Sequence, residues 1–156
     1  MLPQEILWSI GSPDGRSEDL VDTYKEPTRL DGAVWRVAGT SAEPQKQQWP
    51  LFHPSEADPD AGYRLHPYTI EFSLDSAPAV PHLLRIHSLV ITPRLPHLEV
   101  QVNGVSGCAY LRPTPSQSGE IRVHAGLHTT IYSEGVAEII IPPALLQQGE
   151  NRLTLI

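Results

Sequence analysis

The chain has 156 residues, 16 of them proline and 11 glycine, with 18 acidic against 11 basic side chains and a formal net charge of −7. That length suits one domain, and the acidic balance excludes the basic face that nucleic acid needs and the polybasic segment that an anionic membrane attracts. No apolar run approaches the ~20 residues that span a bilayer, residues 1–15 lack the basic start and apolar stretch of a secretory signal, and the one cysteine, Cys108, excludes an internal disulfide framework and a cysteine-based zinc site.

Ile6-Leu7-Trp8-Ser9-Ile10 reads as a first strand running into the corner Gly11-Ser12-Pro13-Asp14-Gly15, where an aspartate bonds its own turn. Ser17-Glu18-Asp19-Leu20-Val21 offers one helical turn with Ser17 as its cap. Ala33-Val34-Trp35-Arg36-Val37 is strand-like again, and core packing is the better reading for both Trp8 and Trp35. From Thr40 to His66 periodicity stops: four prolines, the carboxylates Glu56, Asp58 and Asp60 and the aromatics Trp49, Phe52 and Tyr63 make a long loop, and aromatics set among prolines favour an ordered one.

Tyr68-Thr69-Ile70-Glu71-Phe72-Ser73-Leu74 places a large apolar side chain at every second position, the pattern of a strand with one face in a core. Residues 82–91 are strand-like with less clean alternation, and Leu98-Glu99-Val100-Gln101-Val102 repeats the pattern up to Asn103-Gly104, the favoured pair where a turn needs positive φ. Ile121-Arg122-Val123 is a short strand, and Glu138-Ile139-Ile140-Ile141 ends at two prolines that cannot continue a ladder. Pro143 to Gly149, with proline first and glycine last, predicts one or two helical turns, and Asn151 to Ile156 is strand-like. Short strands with few helices predict an all-β jelly-roll sandwich spanning residues 1–156 as a single domain. A chain that opens and closes in strands is expected of a module excised from something larger.

No nucleophile elbow, phosphate-binding glycine loop or zinc-protease helix occurs. The best strands offer one carboxylate each, Glu71 and Glu99, too few for the arrayed carboxylates of a β-sandwich hydrolase. Seven histidines form no metal pattern; His124 and His128 are separated by Gly126 in a non-helical stretch. Loop carboxylates, Asp14 and Glu18 first and then Asp19, Asp58 and Asp60, are hard ligands suited to calcium, although such groups more often cap turns or face water. Sugar binding needs flat aromatic faces with a few polar groups beside them. Trp49 and Tyr63 supply the faces, with Trp49 as readily a peg holding its loop, and Arg64, His66 and Asn103 supply the polar contacts.

The ordered series ILWSIGSPDGRSEDL, QQWPLFHP, HPYTIEFSL, LEVQVNG and IPPALLQQGENRLTL resembles the galactose-binding-like jelly-roll domain at the C-terminal end of rhamnogalacturonan lyases of polysaccharide lyase family 4. The resemblance runs from Ile6 to Leu155, and residues 43–62 depart from it as an insertion. It implies a non-catalytic, extracellular or cell-surface module that binds a polysaccharide or oligosaccharide beside the catalytic domain of its parent chain. The rival expectation is an architectural sandwich that packs on that catalytic domain and binds no sugar.

Overall fold

Alternating side chains decide which way each strand faces. In the computed structural model, which describes residues 6–12, 19–23, 25–37, 49–90, 95–111, 117–123 and 126–156 (89–90, 117–123 and 126–134 by backbone alone), eight strands form two sheets. They are β1 (Val34–Arg36), β2 (Tyr68–Leu74), β3 (His82–Val90), β4 (His97–Val102), β5 (Val105–Tyr110), β6 (Gln117–Val123), β7 (Gly126–Ile141) and β8 (Gly149–Leu155). One sheet has the order β1-β2-β8-β4-β5 and the other β3-β7-β6. A single 3₁₀ turn, Pro143–Leu145, realises the expected helical segment before β8.

The core lies between the sheets. Ile70 and Phe72 of β2, Leu98, Val100 and Val102 of β4, and Leu153 and Leu155 of β8 all point inward, and Leu84, Ile141 and Leu146 meet them from the other side. The intervening residues of the same strands point outward, so the five-stranded sheet is apolar beneath and polar above. The Asn103-Gly104 turn takes positive φ at both positions, 49° and 87°, and closes the β4–β5 hairpin with Val102 opposite Val105.

Two expectations are corrected. Residues 6–9 join no ladder. The place beside β2 belongs to β1, and Trp8 and Ile10 instead pack on the core through their side chains, with the Trp8 ring centroid 5.7 Å from that of Phe72. The second correction concerns the predicted helical turn over residues 17–21. Residues 13–18 lie outside the described residues, Asp19 and Leu20 form a turn, and Val21 makes a single parallel bridge to Pro50. β1 also runs parallel to β2, which the long connection between them allows.

A buried amide ties the lower edge together. Asn151 is 2% exposed. Its Oδ1 accepts from Gln147 N and Asn103 Nδ2, both at 2.9 Å, and its Nδ2 donates to Gln147 O and Gly149 O at 2.8 and 3.0 Å. Removing the amide strands four partners. Asn151→Ala is therefore expected to cost roughly 2–4 kcal/mol, read as a lower urea midpoint, while Arg152→Ala next to it on the outward face stays within about 0.5 kcal/mol of the native chain.

Candidate functional site

The outward face of the five-stranded sheet is organised in rows, because residues paired across strands share a side. One row runs Ser106, Gln101, Thr154, Thr69, Val34 from β5 to β1. The row on one side of it holds Arg152, Glu71 and Arg36. The row on the other side pairs Cys108 with Glu99, followed by Ile156, which exchanges two backbone bonds with Glu99 at 2.9 Å. Tyr110 and His97 pair at the far end of β5 and β4.

A groove of about 510 Å³ crosses the middle of this face, lined by Gly32, Pro67, Thr69, Gln101, Gly104, Arg152, Thr154 and Ile156. Its floor is hydroxyl, amide and guanidinium. Thr69 and Thr154 hydroxyls bond each other at 3.0 Å. Arg152 is the one charged residue among the described residues of the lining, whereas Arg36 on the same row is bound to Glu71 (Nε to Oε2, 3.0 Å). A second, apolar cleft of about 260 Å³ opens between β5 and β7 over Val100, Val105, Ile139 and Leu145, and lacks a comparable set of polar groups.

The groove's wall is built by two loop segments, at Gly32 and Pro67, joined by a backbone bond from Gly32 N to Pro67 O at 3.2 Å. Just before these two residues stands an ionic clamp. Asp31 Oδ2 accepts from His66 Nδ1 at 2.9 Å and from the Arg64 guanidinium at 2.7 Å. The His66 side chain has no exposed surface, and its carbonyl is 2.7 Å from His53 Nε2.

Below the clamp lies an aromatic cluster. Tyr68, fully buried, has ring centroids of Trp35 and Trp49 at 5.8 Å and of His53 at 4.4 Å, and Trp35 and Trp49 are 4.6 Å apart. Burial and then the nearby Asp31 carboxylate push the Tyr68 phenol well above its usual range.

The five residues expected to touch sugar therefore divide. Tyr63 is 70% exposed in the loop leading to Pro67, at a φ of 51° that non-glycine residues seldom adopt. The loop is held by Asp58, whose Oδ1 accepts from Asp60 N and Ala61 N and whose carbonyl accepts from Tyr63 N. Arg64 is partly exposed beside it. Trp49 is half-buried against Trp35 and Tyr68, and His66 is buried, so both stand behind the wall rather than on its surface.

Asn103 sits at the opposite end of the groove, next to Gly104. Its amide donates to Leu145 O and Asn151 Oδ1, and its Oδ1 accepts from Arg152 N at 2.8 Å, so its polar atoms are already engaged. The floor residues Thr69, Gln101, Arg152 and Thr154 were not among the expected contacts; their signal is the polar half of the same alternation that marks the core.

Asp14 and Glu18, the residues expected for calcium, lie outside the described residues. Among the described residues no three carboxylate, histidine or cysteine side chains gather to hold a metal, and Asp58 is spent on its own turn.

The chain is thus an all-β two-sheet sandwich with an open groove across one sheet face. The comparison with known families agrees. Over residues 6–156 the chain matches the family described as CBM-like: polysaccharide lyase family 4, domain III. It belongs to that family. No curated protein matches it.

Two outcomes test the packing behind the wall. Trp49→Ala should lower stability by about 2–3 kcal/mol in a urea titration, since it removes a ring from the Trp35–Tyr68 cluster. Because the folded chain holds the Tyr68 phenol protonated beyond the unfolded pKa of about 10, the unfolded state binds fewer protons above that pH and stability falls as pH rises. Tyr68→Phe is expected to flatten that alkaline loss, measured as urea midpoints at neutral pH and above pH ~10.

Proposed function

We propose that this chain is a non-catalytic carbohydrate-binding domain that holds a pectic polysaccharide against the outward face of its five-stranded sheet. The observation that carries the reading is the groove itself, a floor of Thr69, Thr154, Gln101 and Arg152 bounded by an ordered loop wall. Tyr63 presents its ring to the apolar face of a sugar. Arg152 pairs with a uronate carboxylate. Arg64, His66 and Trp49 serve by fixing the wall, and Asn103 by fixing the turn at the other end. The family adds that such a domain accompanies a lyase, so a rhamnogalacturonan-type chain is the ligand proposed, the catalytic domain of the parent chain is a partner, and an extracellular setting follows from that substrate.

A specific observation favours a second, compatible reading for the other sheet. Its outward face carries Leu83 opposite Ile140, exposed by 45% and 70%, and Val136 exposed by 51%, around the Arg85–Glu138 ion pair. That apolar surface is suited to packing on the catalytic domain. In the parent chain, Ile140→Lys should then increase proteolytic cleavage between the two domains without changing sugar retention.

For the sugar face, affinity electrophoresis in gels containing rhamnogalacturonan is the test. Tyr63→Ala is expected to weaken retention about fivefold, the loss of one stacking contact of roughly 1 kcal/mol, and Arg152→Ala by about tenfold or more. Both should melt within a few degrees of the native chain. Equal retention of native and variant chains on a sugar-free gel and on a polysaccharide gel would sink the reading.

A further inference from the structure

Beyond the groove, the far end of the same face carries a second arrangement, made of different chemistry. Tyr110 is 69% exposed at the end of the edge strand β5, and its ring lies 6.1 Å from that of His97, centroid to centroid, on the adjoining strand. One outward step along β4, two residues or about 7 Å, stands Glu99. Its carboxylate accepts a hydrogen bond from Gln101 Nε2 at 2.9 Å, and it also has one from Ser106. These two bonds orient the carboxylate and, with Gln101 as the larger cause, hold it below the usual carboxylate range. An ionised carboxylate offers about four acceptor positions and no donor, so positions remain open after both bonds are made.

We propose that this end of the sheet is a second sugar subsite, in which the Tyr110 ring, supported by His97, carries the apolar face of a neutral sugar residue and Glu99 accepts hydrogen bonds from its hydroxyls. The proposal rests on the reading of this sheet face as carbohydrate-binding. Its selectivity follows from charge. Sugar hydroxyls donate to a carboxylate, whereas a uronate brings a second negative charge to within a few ångströms of the first and is disfavoured. The groove at Arg152 has the opposite preference. The two ends of one face thus differ in what they accept, with Gln101 standing between them.

The molecule contains its own reporter. Cys108, the single cysteine of the chain and an exposed free thiol, is paired with Glu99 across β4 and β5. A sugar resting on Tyr110 and Glu99 shields it.

The experiment measures the rate of Cys108 alkylation by iodoacetamide in the native chain, with neutral galactan oligosaccharides, with rhamnose and with oligogalacturonate. Dissociation constants are followed by NMR titration under the same conditions. A neutral sugar is expected to slow alkylation at least threefold, and oligogalacturonate to leave the rate unchanged. Tyr110→Ala and Glu99→Gln should each weaken neutral-sugar binding fivefold or more, and Tyr110→Phe should retain it.

Failure of every neutral sugar to protect Cys108 while oligogalacturonate still binds through Arg152 overturns the second subsite and leaves the groove standing. Failure of all the sugars to bind overturns the carbohydrate reading and this subsite together. Neutral-sugar binding that survives both Tyr110→Ala and Glu99→Gln places that sugar elsewhere and likewise overturns the proposal.

Discussion

The burial of Tyr68 is the constraint on which the wall of the groove depends. A proline-rich loop has few backbone bonds with which to attach itself to a sheet, so its attachment must come from side chains. Here it comes from rings. Trp49 and His53 from the loop and Trp35 from the short edge strand β1 close around Tyr68 at the start of β2. The loop is thereby fixed at one end, and the Asp31–Arg64–His66 clamp fixes it at the other. The clamp residues Asp31 and His66 directly precede Gly32 and Pro67, so holding them together brings those two into contact as a wall above β2. Without the rings the floor of the groove would remain and its wall would not.

The floor has a separate origin. It is what an antiparallel sheet produces when one face is committed to a core. Leu153 and Leu155 go inward, so Arg152 and Thr154 go outward; Val100 and Val102 go inward, so Gln101 and Glu99 go outward. Cross-strand pairing then assembles residues distant in sequence, Thr69 beside Thr154 beside Gln101 beside Ser106, into one polar row. The acidic balance of the whole chain does not describe this surface. Locally it is divided, with the Arg152 guanidinium beside the Asn103-Gly104 turn and the Glu99 carboxylate toward the β5 edge.

Where side chains alternate cleanly, the fold could be read directly. β2 begins and ends where its apolar period does, and the Asn103-Gly104 turn lies where two positive φ angles were required. Ile6-Leu7-Trp8-Ser9-Ile10 has strand composition and yet joins no ladder over residues 6–9, because composition records what a side chain packs against and not which backbone lies alongside. The site was legible only in part. Aromatics in a loop announce importance without direction: Tyr63 turns outward and Trp49 inward, and nothing local to either residue separates them. Asn103 was noticed for its turn, but its amide is used by Leu145 and Asn151, partners more than forty positions away. The floor residues escaped notice for the opposite reason, since threonine, glutamine and arginine on a strand look like ordinary solvated positions until pairing sets them side by side.

The period of two in β8 also governs how this domain can diverge. A single-residue insertion or deletion inside the strand would carry Arg152 and Thr154 toward the core and Leu153 and Leu155 to the surface, abolishing fold and groove in one step. Change in the chemistry of that face must therefore proceed by substitution at outward positions, one side chain at a time, while changes of length are confined to the connecting loops. Descendants of such a chain would keep their strand lengths and core almost fixed, and differ in the lettering of a single face.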